Sequence, residues 1–195
     1  MAFINRQLKK KIWSLEIINI RDYALDKHKT VDDTPFGGGS GMVMRPDVLA
    51  NSLDKNISDK NESIIYLTPK GKRFDQNHAR KLLKNNVNII CGHFEGIDER
   101  ILETRNIEQV SIGDYILSGG ETGAFVVLDA IIRLLPGVLG NVDSLSEESF
   151  ENSLLEYPQY TKPQKWEEKE VPNVLLTGDH KKIKDWRLAQ SEDIT

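Results

Sequence analysis

Hydrophobic and polar positions along the chain alternate between short apolar runs and longer stretches with helical spacing. Four runs rich in Ile, Val and Leu are short enough to be buried strands. They span residues 15–20, 64–67, 87–91 and 110–117. Apolar residues at helical spacing predict helices over 47–53, 74–83, 99–102, 124–135 and 179–190. Strands that alternate with helices predict an α/β fold with a mostly parallel sheet.

The composition of the chain changes after residue 140. Residues 1–140 contain all four predicted strands and form one predicted domain. Residues 141–173 are acidic and carry three prolines, which is typical of a connector. Residues 174–195 regain helical character, so we expect a further helical segment to begin there.

Composition and charge limit the classes of protein to which the chain can belong. Of its 195 residues, 38% are hydrophobic and 29% are charged, enough apolar side chains for a packed core. The net charge of −4 argues mildly against a nucleic-acid partner, although a local basic surface can persist in such a total. Cys91 is the only cysteine, which excludes an internal disulfide framework. Asp129, Arg133 and Pro136 interrupt the most hydrophobic stretch, and no secretory signal is present, so we expect a soluble, cytoplasmic protein with no membrane partner.

Three glycine-bearing turns, at 68–71, 92–96 and 119–120, follow three of the predicted strands. Open α/β sheets bind ligands outside the carboxyl ends of their strands, and glycine lets main-chain groups approach a ligand closely. The turns could together enclose a planar base, or each could be an ordinary turn. A further glycine-rich stretch, 37–41, matches neither a phosphate-binding loop nor a dinucleotide-binding motif. It is either a flexible loop or one that lies flat against a substrate.

Two charged residues stand out by their position. Glu95 lies between Gly92 and Gly96, where flexible backbone on both sides suits a binding site. Arg133 lies on an otherwise apolar helix, and a buried arginine needs a partner. These observations leave open whether Arg133 forms a structural ion pair or takes part in catalysis.

Seven segments, read together, resemble the bacterial tRNA (guanine-N1)-methyltransferase family of the SPOUT superfamily. The segments are KHKTVDDTPFGGGSGMVMRP (27–46), YLTPKGKRFDQ (66–76), CGHFEGIDER (91–100), SIGDYILSGGE (111–121), RLLPGVLG (133–140), ESFENSLLEYPQYTKP (148–163) and VPNVLLTGDHKKIKDWRLAQS (171–191). They cover nearly the whole chain in the order and with the spacing of the family, which makes the resemblance specific.

The resemblance implies a SPOUT-type parallel sheet with a deep C-terminal trefoil knot, in an obligate homodimer whose active sites lie at the subunit interface. It assigns residues 1–140 to the methyltransferase domain, without the family's first strand, and 174–195 to the start of a truncated helical tRNA-binding domain. It implies methylation of guanine N1 in tRNA, at the guanosine 3′ of the anticodon. The methyl donor would be S-adenosyl-L-methionine, which leaves as S-adenosyl-L-homocysteine.

The resemblance also assigns residues to the site. The cofactor-binding positions fall on Tyr66, Leu67, Thr68, Gly92, Glu95, Gly96, Ile112, Gly113, Asp114, Tyr115, Ile116, Leu117, Gly119 and Gly120. The carboxylate and the arginine proposed for catalysis fall on Glu148 and Arg133, and a magnesium-associated glutamate falls on Glu95.

The chain departs from the family pattern beside this pocket. His93 and Phe94 stand where Arg and Tyr are usual, and Thr122 and Gly123 replace a usual Leu-Pro pair. These departures affect local contacts with the cofactor or with RNA.

Two other functions are weighed against methyl transfer. A catalytically impaired tRNA-binding module would keep the fold and bind the cofactor without turnover. A magnesium-dependent phosphohydrolase could use the acidic pairs at 32–33, 98–99 and 147–148, but the sequence holds no phosphate-binding loop.

Overall fold

The computed structural model describes residues 12–59, 61–138 and 154–195. The chain divides into two compact units, Met1–Val138 and Leu139–Thr195. The first unit contains, in chain order, a 3₁₀ helix (Ile20–Tyr23), β1 (Asp32–Asp33), β2 (Val43–Met44), α1 (Pro46–Asn56), β3 (Ser63–Arg73), α2 (Gln76–Leu82), β4 (Val87–Ile90), α3 (Glu99–Thr104), β5 (Glu108–Ser111) and α4 (Gly120–Ile132).

A three-stranded parallel sheet with the order β4-β3-β5 forms the centre of the first unit. Ile65 of β3 pairs with Ile89 of β4 on one side and with Glu108 of β5 on the other. Parallel neighbours require crossover connections, and here α2 connects β3 to β4 while α3 connects β4 to β5. The predicted α/β fold with a parallel sheet is confirmed.

Both faces of the sheet are covered by helices. Ile65 and Tyr66 are consecutive in β3 and belong to different hydrophobic clusters, as the alternation of side chains along a strand requires. The Tyr66 cluster includes Leu49 of α1 and Ile101 of α3. The Ile65 cluster includes residues of α2 and α4, among them the fully buried Val127. Among the described residues, no helix is long and apolar enough to span a membrane.

Helix starts follow from capping residues. Pro46 occupies the first turn of α1, where its missing N–H costs nothing. Asp75 caps α2 by accepting a hydrogen bond from the His78 N–H at 2.7 Å. The predicted helix over 74–83 therefore begins two residues late, because the Phe74 N–H donates to the carbonyl of Ser111 instead.

Strand β3 extends beyond the predicted 64–67, and it is interrupted within its own length. Val110 of β5 pairs with Leu67 before the interruption and with Lys72 after it. Residues 68–71 therefore leave the ladder and pass over the β5 backbone. Gly71 lies directly on the main chain of Gln109 and Val110, where no Cβ atom would fit. The turn predicted from Pro69 and Gly71 is thus a crossing rather than the end of a strand.

The strand predicted over 15–20 is wrong. This segment is irregular and ends in the 3₁₀ helix, and Leu15 and Ile17 are 49% and 86% exposed. A cavity of about 570 Å³ is lined by this segment and by β4. A strand is stable only beside a hydrogen-bonding neighbour, and among the described residues β4 pairs with β3 alone. An apolar run therefore did not suffice to make a strand here.

The ends of two further predicted elements are also corrected. The strand predicted over 110–117 is β5, which stops at Ser111 because the Ser111 hydroxyl bonds to the main chain of Gly113 and turns the backbone. The helix predicted over 124–135 is α4, which begins at Gly120 and has Arg133 as its C-cap.

The second unit is described by itself. It contains β6 (Lys165–Trp166) and β7 (Lys169–Glu170), a 3₁₀ helix (Asn173–Leu176) and α5 (His180–Ile194). The antiparallel pair β6–β7 lies within the stretch predicted to be a connector. Asp179 caps α5 by accepting from the N–H groups of Lys181 and Lys182, each at 3.2 Å.

Candidate functional site

The predicted glycine turns lie at the carboxyl ends of parallel strands. The turn 92–96 follows β4, the segment 112–120 follows β5, and 68–71 interrupts β3 near its end. Because the strands are parallel, these ends share one edge of the sheet, where open α/β sheets bind ligands.

The second and third turns touch through their main chains. The Gly120 N–H donates to the Gly92 carbonyl at 3.0 Å, and His93 forms an antiparallel bridge with Gly119. A Cβ atom on Gly120 would lie 2.6 Å from the Cα of Cys91 and 3.0 Å from the Gly92 nitrogen. Glycine is therefore required at 120 by the close approach of two backbones.

The ends of β3 and β5 converge on the first turns of α4. A Cβ atom on Gly123 would lie 3.1 Å from a Leu67 methyl and 3.4 Å from an Ile112 methyl. The predicted cofactor positions Leu67 and Ile112 are thus brought together, although they lie 45 positions apart in the sequence. Gly123, which departs from the family pattern, makes room for this contact.

Tyr66 supports the second turn from inside the core. Its ring lies against Gly92 and Gly96, where added Cβ atoms would come within 2.7 and 2.8 Å. Burial raises the pKa of the Tyr66 hydroxyl, and a hydrogen bond with the main chain of Ile97 partly offsets this effect. Its side chain is only 8% exposed, so it packs beneath the turn.

The segment 112–117 is the most exposed part of the candidate site. Tyr115 folds its ring over Gly113, filling the space of a Cβ atom, and its hydroxyl donates to the Ile112 carbonyl at 3.2 Å. Asp114 and Leu117 are exposed, and Ile116 is 81% exposed. An apolar side chain this exposed is available to a ligand or to a partner chain.

The glycine-rich loop 37–41 is attached to the second turn. It lies at the tip of the hairpin β1–β2, and the Met44 N–H donates to the Gly96 carbonyl at 2.9 Å. The Glu95 N–H donates to the Met42 carbonyl at 3.1 Å, and the Glu95 side chain lies against Gly41. The predicted site residue Glu95 therefore faces the hairpin.

Sequence reasoning missed one pair of side chains at this edge. The His93 Nε2 atom lies 2.6 Å from a Glu121 carboxylate oxygen. The hydrogen bond with His93 holds the pKa of Glu121 below its usual value, aided by the main chain at the start of α4. The two residues are 28 positions apart, so no local pattern could have indicated the contact.

Arg133 and Glu148, the two residues proposed for catalysis, are not placed at the glycine turns by the described part of the chain. Arg133 follows the last turn of α4, which is 13 residues long and so spans about 20 Å from the glycine turns at its start. Arg133 is half-buried and has an interaction partner. The Glu148 prediction lies outside the described residues. The described chain therefore does not bring Arg133 to the glycine turns.

The predicted magnesium site at Glu95 has no supporting set of ligands. Among residues 12–59, 61–138 and 154–195, no three His, Cys, Asp or Glu side chains gather where they could hold a metal ion. The acidic pairs at 32–33 and 98–99, which were considered for a phosphohydrolase, belong to no such group, and the pair at 147–148 lies outside the described residues. Asp98 caps α3 and is bound to Arg100 at 2.7 Å, which lowers its pKa. That alternative is not favoured.

Fold and site together define an α/β protein with a parallel sheet, whose candidate ligand-binding edge is built from glycine turns after the strands. The family model described as tRNA (Guanine-1)-methyltransferase TrmD matches residues 1–195. The chain therefore belongs to this family.

Several relatives of this chain carry the name tRNA (guanine-N(1)-)-methyltransferase. The protein of Pelagibacter ubique (strain HTCC1062) is 67% identical over 191 residues, which cover 97% of this chain and 83% of the relative. That of Wolbachia pipientis wMel is 58% identical over 198 residues, covering 100% of this chain and 84% of the relative. That of Bartonella tribocorum is 58% identical over 189 residues, covering 96% and 81%. The similarity extends over the whole candidate site.

Proposed function

We propose that this protein methylates the N1 atom of a guanine in tRNA, with S-adenosyl-L-methionine as the methyl donor. The observation that carries the proposal is the family match over all 195 residues, together with relatives of the same name at up to 67% identity. The target is the guanosine 3′ of the anticodon, and the reaction takes place in the cytoplasm. A catalytically impaired tRNA-binding module is not favoured, because relatives that match nearly the whole chain carry the name of the enzyme.

The residues present suit S-adenosylmethionine. Gly92 and Gly120 bring two main chains together, and Gly119 lies beneath the side chains of His93 and Glu121. The N–H and C=O groups of these turns that are not bonded to each other suit the edge of an adenine. The exposed segment 112–117 gives an apolar wall to the same pocket.

The chemistry needs one base and one cation. N1 of guanine carries a proton at neutral pH, so its lone pair is a poor nucleophile until that proton leaves. The Glu148 carboxylate takes the N1 proton, and the Arg133 guanidinium stabilises the negative charge that builds on O6. When bound, S-adenosylmethionine supplies the methyl group: the N1–C bond forms as the C–S bond breaks, leaving a neutral thioether. No step is assigned to a magnesium ion.

A trefoil knot is part of the proposal. Its support is the crossing of residues 68–71 over β5, with Gly71 resting on the main chain of Val110. The chain that follows β5 then returns to the second turn at Gly119 and Gly120. In a knot, one segment forms a loop across a strand, and the chain that continues from that strand then turns back. Residues 68–71 and the chain after β5 are arranged in this way.

A homodimer with shared sites is also part of the proposal. Its support is the separation of Arg133 from the glycine turns by the length of α4. Exposed apolar side chains, including Ile116, Phe125 and Val126, are consistent with a face that a second copy covers. One protomer would hold the cofactor while its partner supplies Glu148.

A methyl-transfer assay tests the function directly. The protein, radiolabelled S-adenosylmethionine and an unmodified tRNA transcript with G 3′ of the anticodon should yield labelled 1-methylguanosine after nuclease digestion. A matched transcript with A at that position should stay unlabelled. Labelling of both transcripts, or of neither, contradicts the proposal.

A further inference from the structure

His93 and Glu121 join two turns that the main chain already brings together. The turns meet at Gly92 and Gly120 through one backbone hydrogen bond of 3.0 Å, and at His93 and Gly119 through a β-bridge. These contacts are made by main-chain atoms, and glycine at position 120 allows the two backbones to approach closely. The 2.6 Å contact between His93 Nε2 and Glu121 Oε1 is the part of the junction that depends on particular side chains.

About half of each side chain of this pair is exposed to solvent, and the rest lies close to Gly119. A Cβ atom on Gly119 would lie 2.6 Å from the second carboxylate oxygen of Glu121 and 3.0 Å from the His93 ring. The imidazole and the carboxylate therefore pack over the main chain of Gly119.

Glu121 also stands at the start of α4, in its first turn. A carboxylate at a helix N-terminus is stabilised by the helix dipole, so Glu121 is fixed to the helix as well as to His93. The neighbouring Cys91 thiol stays protonated, because burial and the Glu121 charge raise its pKa to about 11.

We propose that His93 is a positioning residue that, by holding Glu121, fixes the spacing between the turn after β4 and the start of α4. The proposal rests on the proposed function, since it requires these two turns to enclose S-adenosylmethionine. Removing the pair should weaken cofactor binding, because the free protein then samples wider spacings that do not fit the ligand. It should leave the methyl-transfer step unchanged once cofactor is saturating.

An arginine at position 93 would offer the same kind of contact as His93. Both side chains donate an N–H group to a carboxylate, and the arginine fork can donate two. His93→Arg should therefore keep cofactor affinity, whereas His93→Phe keeps a ring but loses the donor. This difference separates a bonding role from simple filling of space.

The experiment is a double-mutant cycle on the binding of S-adenosylhomocysteine, measured by calorimetry. We expect His93→Phe to weaken binding roughly two- to fivefold, the range of a half-exposed ion pair. Glu121→Ala should weaken it at least as much, and the double variant no more than Glu121→Ala alone. His28→Phe, the same change at an exposed position of the same unit, is the matched control and should leave affinity unchanged. His93→Ala repeats the test without the bulk of the phenyl ring.

Three results would overturn the role of His93 while wild-type protein binds and methylates normally. The first is unchanged affinity for S-adenosylhomocysteine in both His93→Phe and His93→Ala. The second is that the effects of His93→Phe and Glu121→Ala on affinity add in the double variant. The third is that a His93 variant has a lower single-turnover rate at saturating cofactor but unchanged affinity. Wild-type protein that neither binds S-adenosylhomocysteine nor methylates tRNA overturns the proposed function itself, and the role of His93 with it.

Discussion

At the residue scale, the close contact of Gly120 with another main chain gives a sharp prediction. Gly120→Ala places a Cβ atom 2.6 Å from the Cα of Cys91, so one of two backbones must move. Overpacking of this kind costs about 1–3 kcal/mol and should separate the turns that bind cofactor. We expect at least tenfold weaker binding of S-adenosylhomocysteine by calorimetry, with a lower midpoint in urea. Ser118→Ala, at an exposed position two residues away, should change neither, and equal losses in both variants would contradict this explanation.

The proposed base and cation give a second prediction at this scale. Glu148→Gln keeps size and hydrogen bonding but cannot take the N1 proton, so single-turnover methyl transfer should fall by about 10²–10⁴ while cofactor binding survives. Raising the pH should partly restore this rate, because hydroxide then helps to remove the proton. Arg133→Lys loses the planar fork and should also be strongly impaired, and Arg133→Ala should gain less from high pH.

The adjacent carboxylate is the control for this assignment. Glu147→Gln changes a carboxylate one position away and should leave the rate near that of the wild type. A normal rate in Glu148→Gln with a loss in Glu147→Gln would move the base by one residue. Normal rates in both variants would exclude a carboxylate base from these two positions.

At the element scale, a bidentate ion pair joins α1 to the end of α3. Arg105 donates from Nε and Nη2 to the two oxygens of Asp54 at 2.7 and 2.8 Å. The hydrogen bond with Arg105 holds the pKa of Asp54 below its usual value. The pair therefore stabilises the fold fully above pH 3.8, and this contribution is lost as the pH falls through the lower folded-state pKa.

Asp54→Asn tests this pair. Because both side chains are partly exposed, we expect a loss of no more than about 1 kcal/mol in the free energy of unfolding at pH 7. The difference from wild type should shrink as urea titrations move from pH 7 to pH 3. Glu103→Gln, an exposed acid on α3, should show no such loss at pH 7. A difference that is constant with pH would mean that the ion pair is not its source.

Strands could be predicted from the sequence where an apolar run also has a neighbouring strand in the fold. The apolar runs of β3 and β4 lie beside each other in the sheet, and both were anticipated from sequence. The run at 15–20 is similarly apolar, but no described strand lies beside it, so the strand that its pattern predicted does not form. The helix predicted from residue 124 begins at Gly120 in the structure. In the sequence, Gly119 and Gly120 indicate a turn, but glycine stands at the first position of the helix because another main chain approaches it closely. The contact between His93 and Glu121 joins distant positions and had no sequence signal.

At the scale of the whole molecule, the arrangement of α4 bears on how the active site is assembled. The glycine turns lie at one end of this helix and Arg133 at the other, about 20 Å apart, so a single protomer does not bring them together. A twofold dimer solves this separation when the partner brings its own residues to the turns. Dimerisation would then be a condition for activity, and dilution below the dimer dissociation constant should abolish methyl transfer.

Heterodimers of two inactive variants test this sharing of sites. At a cofactor concentration well below the dissociation constant of Gly120→Ala, this change leaves the turns of one protomer empty, and Glu148→Gln removes the base of the other. If each site combines the turns of one protomer with Glu148 of its partner, one of the two sites in the heterodimer carries both defects and the other carries none. Purified heterodimers, separated by two different affinity tags, should then recover about half of the wild-type rate, as twofold symmetry requires. If instead each protomer uses its own Glu148, both sites carry one defect, and the heterodimer should be as inactive as the two parent homodimers. The measurement is single-turnover methyl transfer on saturating tRNA, and absence of recovery in verified heterodimers would exclude shared sites.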